Sequence, residues 1–398
     1  MKKVVLAFSG GLDTSFCVQY LKNERGLEVH TALVDTGGFD EAELADIEKR
    51  AIDLGAATHV NIDRAQEFYE KGIRYMLFGN SLRQNTYPLS VSSERIFQAL
   101  AIVEYAREIG ASYVAHGSTG AGNDQVRFDL VFQVMAPEIE IITPIRELRL
   151  ARHEEIDYLA RHGFSFSREK AKYSINRGLW GTSVGGAETL VSDGVLPESA
   201  YPAAAAAEGS ETVTVRFERG EPRGLNGSDM QPVALIRELE RIAAAYGAGR
   251  DTHVGDTIIG IKGRVGFQAA AALILINAHR LLEKHVLTKW QQYWKDQIGN
   301  WYGMMMHEAQ YLDPVMRDME AYLESSQRYV SGEVDIVLRP YRFNVTGCRS
   351  EHDLMSSKFG EYGEINKAFT GDDVKGFTRI LSNQTKIYYA VNSPEKQD

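Results

Sequence analysis

Cysteine is scarce in this chain. Among 398 residues only Cys17 and Cys348 occur, and neither belongs to a CxxC pair or to a zinc-ligand spacing. A disulfide-stapled scaffold and a zinc ribbon are thereby excluded, and a reduced, cytoplasmic chain is expected. Long apolar runs are also missing. Met1-Lys2-Lys3 precedes only five apolar residues, too few for a signal peptide. The longest mainly apolar stretch, 269–278, which includes Asn277, is about half of a membrane span, so no membrane partner is expected. Basic charge is not in excess. A formal net charge of −10 argues against a nucleic-acid-binding surface, and no nucleic-acid partner is expected. No cysteine with a paired base is present, so no covalent enzyme intermediate is implied. A GK[ST] ending is absent throughout, which excludes a Walker A loop and its phosphate-gripping lysine.

What the chain does have begins at its N-terminus. Ser9-Gly10-Gly11-Leu12-Asp13-Thr14-Ser15 follows a short apolar run, 4–8, and opens a helical pattern. Strand, glycine turn and helix start form the geometry that cradles phosphate, because backbone N–H groups and the helix dipole both favour an anion. Gly10 and Gly11 permit positive φ and close backbone approach. Ser9, Thr14 and Ser15 add hydroxyl donors. An ordinary turn before a helix capped by Asp13 or Thr14 is the plainer reading. The segment resembles the PP-loop of the ATP pyrophosphatase superfamily, S-G-G-x-D-[ST]-S. In that superfamily the loop holds the pyrophosphate that leaves when ATP adenylates a substrate.

The first third alternates strand and helix signals. Strands are predicted at 4–8, 30–34, 59–62 and 113–115, and helices at 13–24, 40–54 and 94–110. This alternation implies an α/β fold with a doubly wound, mainly parallel sheet, whose ligands bind beyond the C-terminal strand ends. A further strand at 139–144 and a helix at 152–163 close a nucleotide-binding domain over 1–165. A synthetase and oligomerisation domain of α+β type is expected over 166–370. Within it, 174–186 reads as irregular, 201–209 as a loop, 212–217 as a strand and 232–246 as an amphipathic helix. Segment 281–326 is helical and aromatic: Leu287, Trp290, Trp294, Ile298, Trp301 and Met305 recur at three- and four-residue steps. That stripe reads either as intramolecular core or as an oligomer interface, where tryptophan is enriched. Gly299, Gly303 and Pro314 are expected to break the segment into two or three helices. A tail, 371–398, reads as polar and frayed at its end.

A second glycine-rich segment, His116-Gly117-Ser118-Thr119-Gly120-Ala121-Gly122-Asn123-Asp124-Gln125-Val126-Arg127-Phe128, starts at another predicted strand end. Its spacing, G-x-x-G-x-G, is not the dinucleotide fingerprint. Thr119, Asn123, Asp124 and Arg127 put a hydroxyl, an amide, a carboxylate and a guanidinium within nine residues. Such a loop can hold an amino acid, since arginine forks a carboxylate and aspartate accepts from an ammonium. The shared location of both loops at strand ends points to one composite site.

Together these segments resemble the argininosuccinate synthase family. The resemblance rests on Ala7 to Ser15, on Tyr87-Pro88-Leu89-Ser90-Val91-Ser92, and on His116 to Phe128. Ser174 and Ser183, nine apart, and the run from Gly249-Arg250 to Arg264 extend it. It implies that citrulline, aspartate and ATP give argininosuccinate, AMP and pyrophosphate through a citrullyl-adenylate. By resemblance Ala7, Phe8, Ser9, Gly10, Gly11, Leu12, Asp13, Thr14, Ser15, Val34 and Gly117 would bind ATP. Thr119, Asn123 and Asp124 would hold aspartate. Tyr87, Ser92, Asn123, Arg127, Ser174 and Ser183 would hold citrulline. Asp13, Asp124 and Arg127 are the catalytic candidates. No metal site is built of side chains alone. Mg2+ is expected through the ATP phosphates, with Asp13 as a possible ligand or second partner of the ion. A homotetramer is implied as well.

Three positions depart from the family pattern. Gly255 stands where relatives carry a glutamate of the citrulline site, Phe267 where they carry a tyrosine, and Val91 where a hydroxyl residue is common. Asp256 or Glu283 could stand in for the missing carboxylate. A tRNA-thiolating PP-loop enzyme and a non-catalytic nucleotide-binding protein are the competing functions.

Overall fold

Five parallel strands organise the first part of the chain, seen in a computed structural model that describes residues 1–166, 173–356 and 368–393. They are β1 (Lys3–Ala7), β2 (Glu28–Asp35), β3 (Thr58–Asp63), β4 (Tyr113–His116) and β5 (Glu140–Ile142), in the order β3-β2-β1-β4-β5. The strand pattern places successive side chains on opposite faces. Val4 and Leu6 pack with Phe16, Leu21, Ala51 and Leu159, from helices Leu12–Asn23, Glu41–Asp53 and Arg152–Arg161. Val5 packs the other way, with Ile96, Ile102 and Val131 from helices Glu94–Glu108 and Asp124–Met135. Each fully buried aliphatic side chain of this kind stabilises by about 1.5–3 kcal/mol relative to an exposed one. The expected run at 139–144 shortens to three strand residues because Pro144 starts a helix, Pro144–Leu148, where its missing N–H costs nothing.

The order reverses between β1 and β4, which run side by side with Ala7 opposite His116. Chain crossovers leave this pair in opposite directions, so a crevice opens beyond the two strand ends. Both glycine-rich segments start there.

Two antiparallel sheets follow within the same compact unit, which spans residues 1–351. One contains β6 (Ser174–Gly178), β7 (Gly181–Gly185), β11 (Arg250–Asp256) and β12 (Lys262–Gln268), in the order β11-β12-β7-β6. The other contains β8 (Glu211–Glu218), β9 (Glu221–Leu225), β10 (Ser228–Asp229), β13 (Gly332–Arg339) and β14 (Arg342–Arg349), in the order β10-β9-β8-β13-β14. Segment 174–186, read as irregular, is in fact the β6–β7 hairpin. Its glycines and polar residues hide the alternation, and its pairing with β12 supplies the order.

Helices Ala270–Val286, Lys289–His307 and Val315–Ser326 fill the aromatic segment. Pro314 precedes the last of them as expected, but Gly299 and Gly303 break nothing. A Cβ on Gly299 would lie 2.1 Å from the Gly79 carbonyl oxygen, and one on Gly303 would lie 3.0 Å from the Ser81 Cβ. These glycines let an unbroken helix touch the turn at 79–81. The tryptophan stripe divides. Leu287 is buried, whereas Trp290, Trp294 and Trp301 are 58–64% exposed, so the core reading fails for the tryptophans.

The second unit, 352–398, contains helices Gly371–Leu381 and Asn383–Val391. The tail is therefore not simply polar: Phe377, Ile380, Leu381, Ile387 and Tyr388 are exposed apolar side chains on these helices. The expected frayed end, 394–398, lies outside the described residues. Among the described residues no helix is long and apolar enough to cross a membrane.

Candidate active site

The first loop is built by a glycine turn after β1. Gly10 takes φ +74°, which favours glycine, and its Cβ would press on Ile47 Cγ1 at 3.1 Å. Gly11 is different: with φ −76° and ψ 177° it is extended, and it forms the N-cap of helix Leu12–Asn23. The expectation of positive φ thus holds at Gly10 only. A glycine N-cap has no side chain to accept a first-turn N–H, which leaves that end of the helix to an anion. Ser15 Oγ is buried without a hydrogen-bond partner. Ser9 Oγ lies 3.4 Å from Thr14 Oγ1, which donates to the Gly11 carbonyl at 3.3 Å. Arg50 Nη1 donates to the Gly10 carbonyl and braces the turn at 2.5 Å.

Neither Asp13 nor Thr14 caps this helix. Asp13 pairs instead with Glu155, whose carboxyl is pushed up to about 9 by burial, by the charge of Asp13 and by their shared hydrogen bond. Glu155 Oε2 has no partner. Cys17, one turn further along, is fully buried, and burial followed by Asp13 and Glu155 raises its thiol well above the usual range. Such a thiol is a poor nucleophile.

The second loop folds against the first. A Cβ on Gly117 would lie 3.2 Å from Thr14 Cγ2 and 3.3 Å from the Asp13 carbonyl carbon. Gln125 Nε2 donates to the Gly120 and Gly122 carbonyls, which holds the loop in shape. His116 Nδ1 accepts from the Ser118 N–H, so its Nε2 carries the proton that bonds Asp129 at 2.9 Å. Thr119 is exposed and Asn123 half-buried, and Asn123 Oδ1 accepts from the Ile258 N–H at 2.8 Å. Val34 is buried at the end of β2, and its carbonyl accepts from Gln98 Nε2 at 3.4 Å.

Asp124 lies at the centre of an ion network that sequence reading only partly anticipates. Arg127 Nη1 donates to its Oδ1 at 2.7 Å and Arg95 Nε to its Oδ2 at 3.1 Å. Burial alone would raise this carboxyl, but the two guanidiniums prevail and hold it at about 2. Its side chain remains 37% exposed. Arg127 is buried and also donates from Nε to the His307 carbonyl at 2.9 Å. Arg95 continues to Asn176 Oδ1, Gln98 Oε1 and Glu94 Oε1 at 2.8–3.0 Å.

Antiparallel register explains the remaining wall. Asn176 pairs with Ser183, Ser183 with Phe267 and Phe267 with Asp251, so these positions share one face of the sheet. His253 and Gly255, at steps of two along β11, belong to that face, as does Ser174 at its exposed end. Tyr87 meets the face directly: its ring stacks on His253 at 5.4 Å and packs on Phe267 at 5.3 Å. The Tyr87 hydroxyl accepts from Ser90 Oγ and the Val91 N–H, and Ser92 Oγ donates to the Leu89 carbonyl. Neither suggested replacement for the missing carboxylate lies free. Asp256 pairs with Lys262 at 2.6 Å, and Glu283 is buried between Lys295 and Asn80. Arg83, Arg95, Asn176, His253 and His307 all escaped the sequence reading. The one available signal was proximity, since Arg83 and Arg95 flank the Tyr87 to Ser92 motif.

Glu94 is fully buried, accepts from Thr36 Oγ1 at 2.8 Å and pairs with Arg95. Burial, only partly offset by Arg95, pushes its carboxyl from 4.5 up to about 7. The native state therefore holds an extra proton between those values, and stability falls as pH rises through that window. The difference is worth on the order of 3 kcal/mol. Glu94→Gln should narrow the gap between the melting temperatures at pH 5 and pH 8. An unchanged gap in a thermal melt would contradict this account.

A parallel sheet in this order, with a lysine-free glycine cradle at the reversal of strand order, defines an α/β nucleotide-binding domain of the PP-loop class. Comparison with known proteins narrows the class. The family description "Arginosuccinate synthase N-terminal HUP domain" matches residues 3–165, and "Arginosuccinate synthase C-terminal domain" matches residues 173–388. The argininosuccinate synthase of Xanthomonas campestris is 38% identical over 403 residues, covering 98% of this chain and 99% of the relative. That of Methanocaldococcus jannaschii is 36% identical over 389 residues, covering 96% and 97%. That of Pyrococcus furiosus is 35% identical over 391 residues, covering 97% and 94%. The chain belongs to the argininosuccinate synthase family.

Proposed function

We propose that this protein is an ATP-dependent carbon–nitrogen ligase that joins citrulline to aspartate and releases AMP and pyrophosphate, a step of arginine biosynthesis. The ureido oxygen attacks the α-phosphorus, pyrophosphate departs, and the aspartate amine then displaces AMP. The observation that supports this reading is the contact between the two loops, Gly117 against Thr14 and Asp13, which packs the first glycine turn against the segment that leads into Asp124. Ala7 to Ser15, with Val34 and Gly117, would take ATP, and the unpartnered Ser15 Oγ suits a phosphate oxygen. Thr119, Asn123 and Asp124 would take aspartate. Tyr87, Ser92, Asn123, Arg127, Ser174 and Ser183 would line the citrulline side.

Catalysis then rests on positioning and on donors aimed at charge that develops at phosphorus. Among the described residues no cluster of three or more His, Cys, Asp or Glu could hold a metal. Asp13, in the first turn of the helix that follows the cradle, is the side chain that would meet a Mg2+ ion shared with phosphates. That ion would neutralise charge on the departing pyrophosphate.

The thiolating alternative is not favoured, because Cys17 is buried with a raised thiol and Cys348 lies apart on β14. We extend the proposal to a homotetramer, supported by the exposed tryptophans on helix Lys289–His307. A cytoplasmic location suits a chain whose two cysteines form no disulfide. We keep 1–165 as the nucleotide-binding domain, 166–370 as the synthetase domain and 371–398 as the tail.

A coupled pyrophosphate assay, with citrulline and aspartate omitted in turn, tests the reading. Release should need both amino acids, and AMP should be the nucleotide product. Accumulation of ADP, or release indifferent to both omissions, would overturn it.

A further inference from the structure

The far wall of the acceptor cleft carries a fixed positive charge beside Gly255. A Cβ built on Gly255 would lie 2.5 Å from His253 Nε2 and 3.5 Å from Arg83 Nε. The imidazole thus occupies the space that a side chain at 255 would need. Tyr87 stacks on that imidazole and Phe267 packs on Tyr87, so the ring is held in place. Arg83 reaches the same spot from the loop before Tyr87. Its Nη2 donates to the Asp256 carbonyl at 2.8 Å, while its Nε is buried with no hydrogen-bond partner.

Carboxylates near this wall are engaged elsewhere. Asp256 pairs with Lys262, Glu283 with Lys295, and Asp124 with Arg95 and Arg127. Asp251 is exposed on β11 and accepts from the Thr252 N–H. Burial and then Arg83 hold His253 below the ordinary imidazole range, so Arg83 is the fixed charge at this end. Phe267 offers no hydroxyl. An ammonium placed beside Gly255 would face a guanidinium, while Asp251 lies four residues away beyond His253 and Asp256 is on the other face of the strand with Lys262. A carboxylate would find the free Arg83 Nε–H, and charge-assisted bonds of this type are the strong ones.

We infer that the acceptor site holds its ureido acid by the distal carboxylate, through Arg83 beside His253, and makes no use of the neighbouring ammonium of citrulline. This rests on the ligase reading above and concerns only how the acceptor is held. The reaction is otherwise the same: the ureido oxygen displaces pyrophosphate, and the amine of aspartate displaces AMP.

The test compares kcat/KM for pyrophosphate release, with ATP and aspartate saturating, for three acceptors. They are L-citrulline, 5-ureidopentanoate, which has hydrogen in place of the α-ammonium, and butylurea, which lacks the carboxylate as well. 5-Ureidopentanoate should equal or exceed citrulline and should exceed butylurea by about tenfold, the worth of roughly 1.4 kcal/mol. Arg83→Ala should raise the KM for 5-ureidopentanoate about tenfold without a comparable rise for ATP or aspartate. Arg83→Lys, which keeps the charge, should recover most of that loss. Citrulline preferred over 5-ureidopentanoate overturns the inference and leaves the ligase reading standing. Equal rises in KM for all three substrates in Arg83→Ala would also overturn it. Pyrophosphate release with none of the ureido compounds overturns both.

Discussion

Gly11→Val should abolish ATP binding and leave the melting temperature almost unchanged. The backbone at Gly11 is extended, a conformation that valine adopts without strain, and a Cβ there would meet nothing nearer than Ser9 Oγ at 3.5 Å. Folding has no quarrel with the substitution. The added methyl groups would instead stand in front of the helix N-terminus, where the phosphates must approach the backbone. Affinity measured by calorimetry should fall a hundredfold or more, roughly 2.7 kcal/mol. Gly10→Val makes the contrast. There φ is +74° and Ile47 crowds the Cβ at 3.1 Å, so a left-handed penalty of about 1–2 kcal/mol appears as lost stability. Unchanged ATP affinity in Gly11→Val would remove the phosphates from this loop.

The two variants also mark how far sequence reaches. The PP-loop segment and the His116 to Phe128 segment are contiguous stretches, and the alternation of strands and helices already implies that both end up at strand termini. Their adjacency through β1 and β4 follows from parallel topology. The difference between Gly10 and Gly11 does not. It depends on Ile47, from a helix some 35 residues away, and on where the helix takes its cap.

Residues that complete the site are harder to read for the same reason. Arg95 joins Asp124 to Asn176 across 29 and 81 residues, and His307 reaches Arg127 across 180. No local pattern carries such contacts. Gly299 and Gly303 mislead in a related way. Glycine inside a helix costs about 1 kcal/mol relative to alanine, which makes it look like a stop. Here the cost is accepted because only a bare Cα fits against Gly79. The spacing of Trp290, Trp294 and Trp301 identifies a helical face correctly but does not decide between core and interface; in the folded chain that face is exposed.

Asp124→Ala should raise the KM for aspartate tenfold or more, with a much smaller effect on that for ATP. The carboxylate lies between Arg95 and Arg127, yet keeps 37% of its side chain exposed. Sequence reading gives Asp124 to a substrate ammonium and Arg127 to a substrate carboxylate; the structure bonds them to each other as well. Removing the carboxylate therefore does two things. It deletes the acceptor for the ammonium, and it leaves two guanidiniums facing one another, with Arg127 buried. The second effect should lower stability by about 1–3 kcal/mol, discounted for the solvent that reaches Asp124. Asp124→Asn separates the two, because an amide oxygen still accepts from one arginine but carries no charge for an ammonium. Its melting temperature should fall less than that of Asp124→Ala, while its KM for aspartate should rise nearly as far. Equal changes in KM for aspartate and ATP in both variants would show that Asp124 serves the fold of the loop and not the amino acid it is proposed to hold.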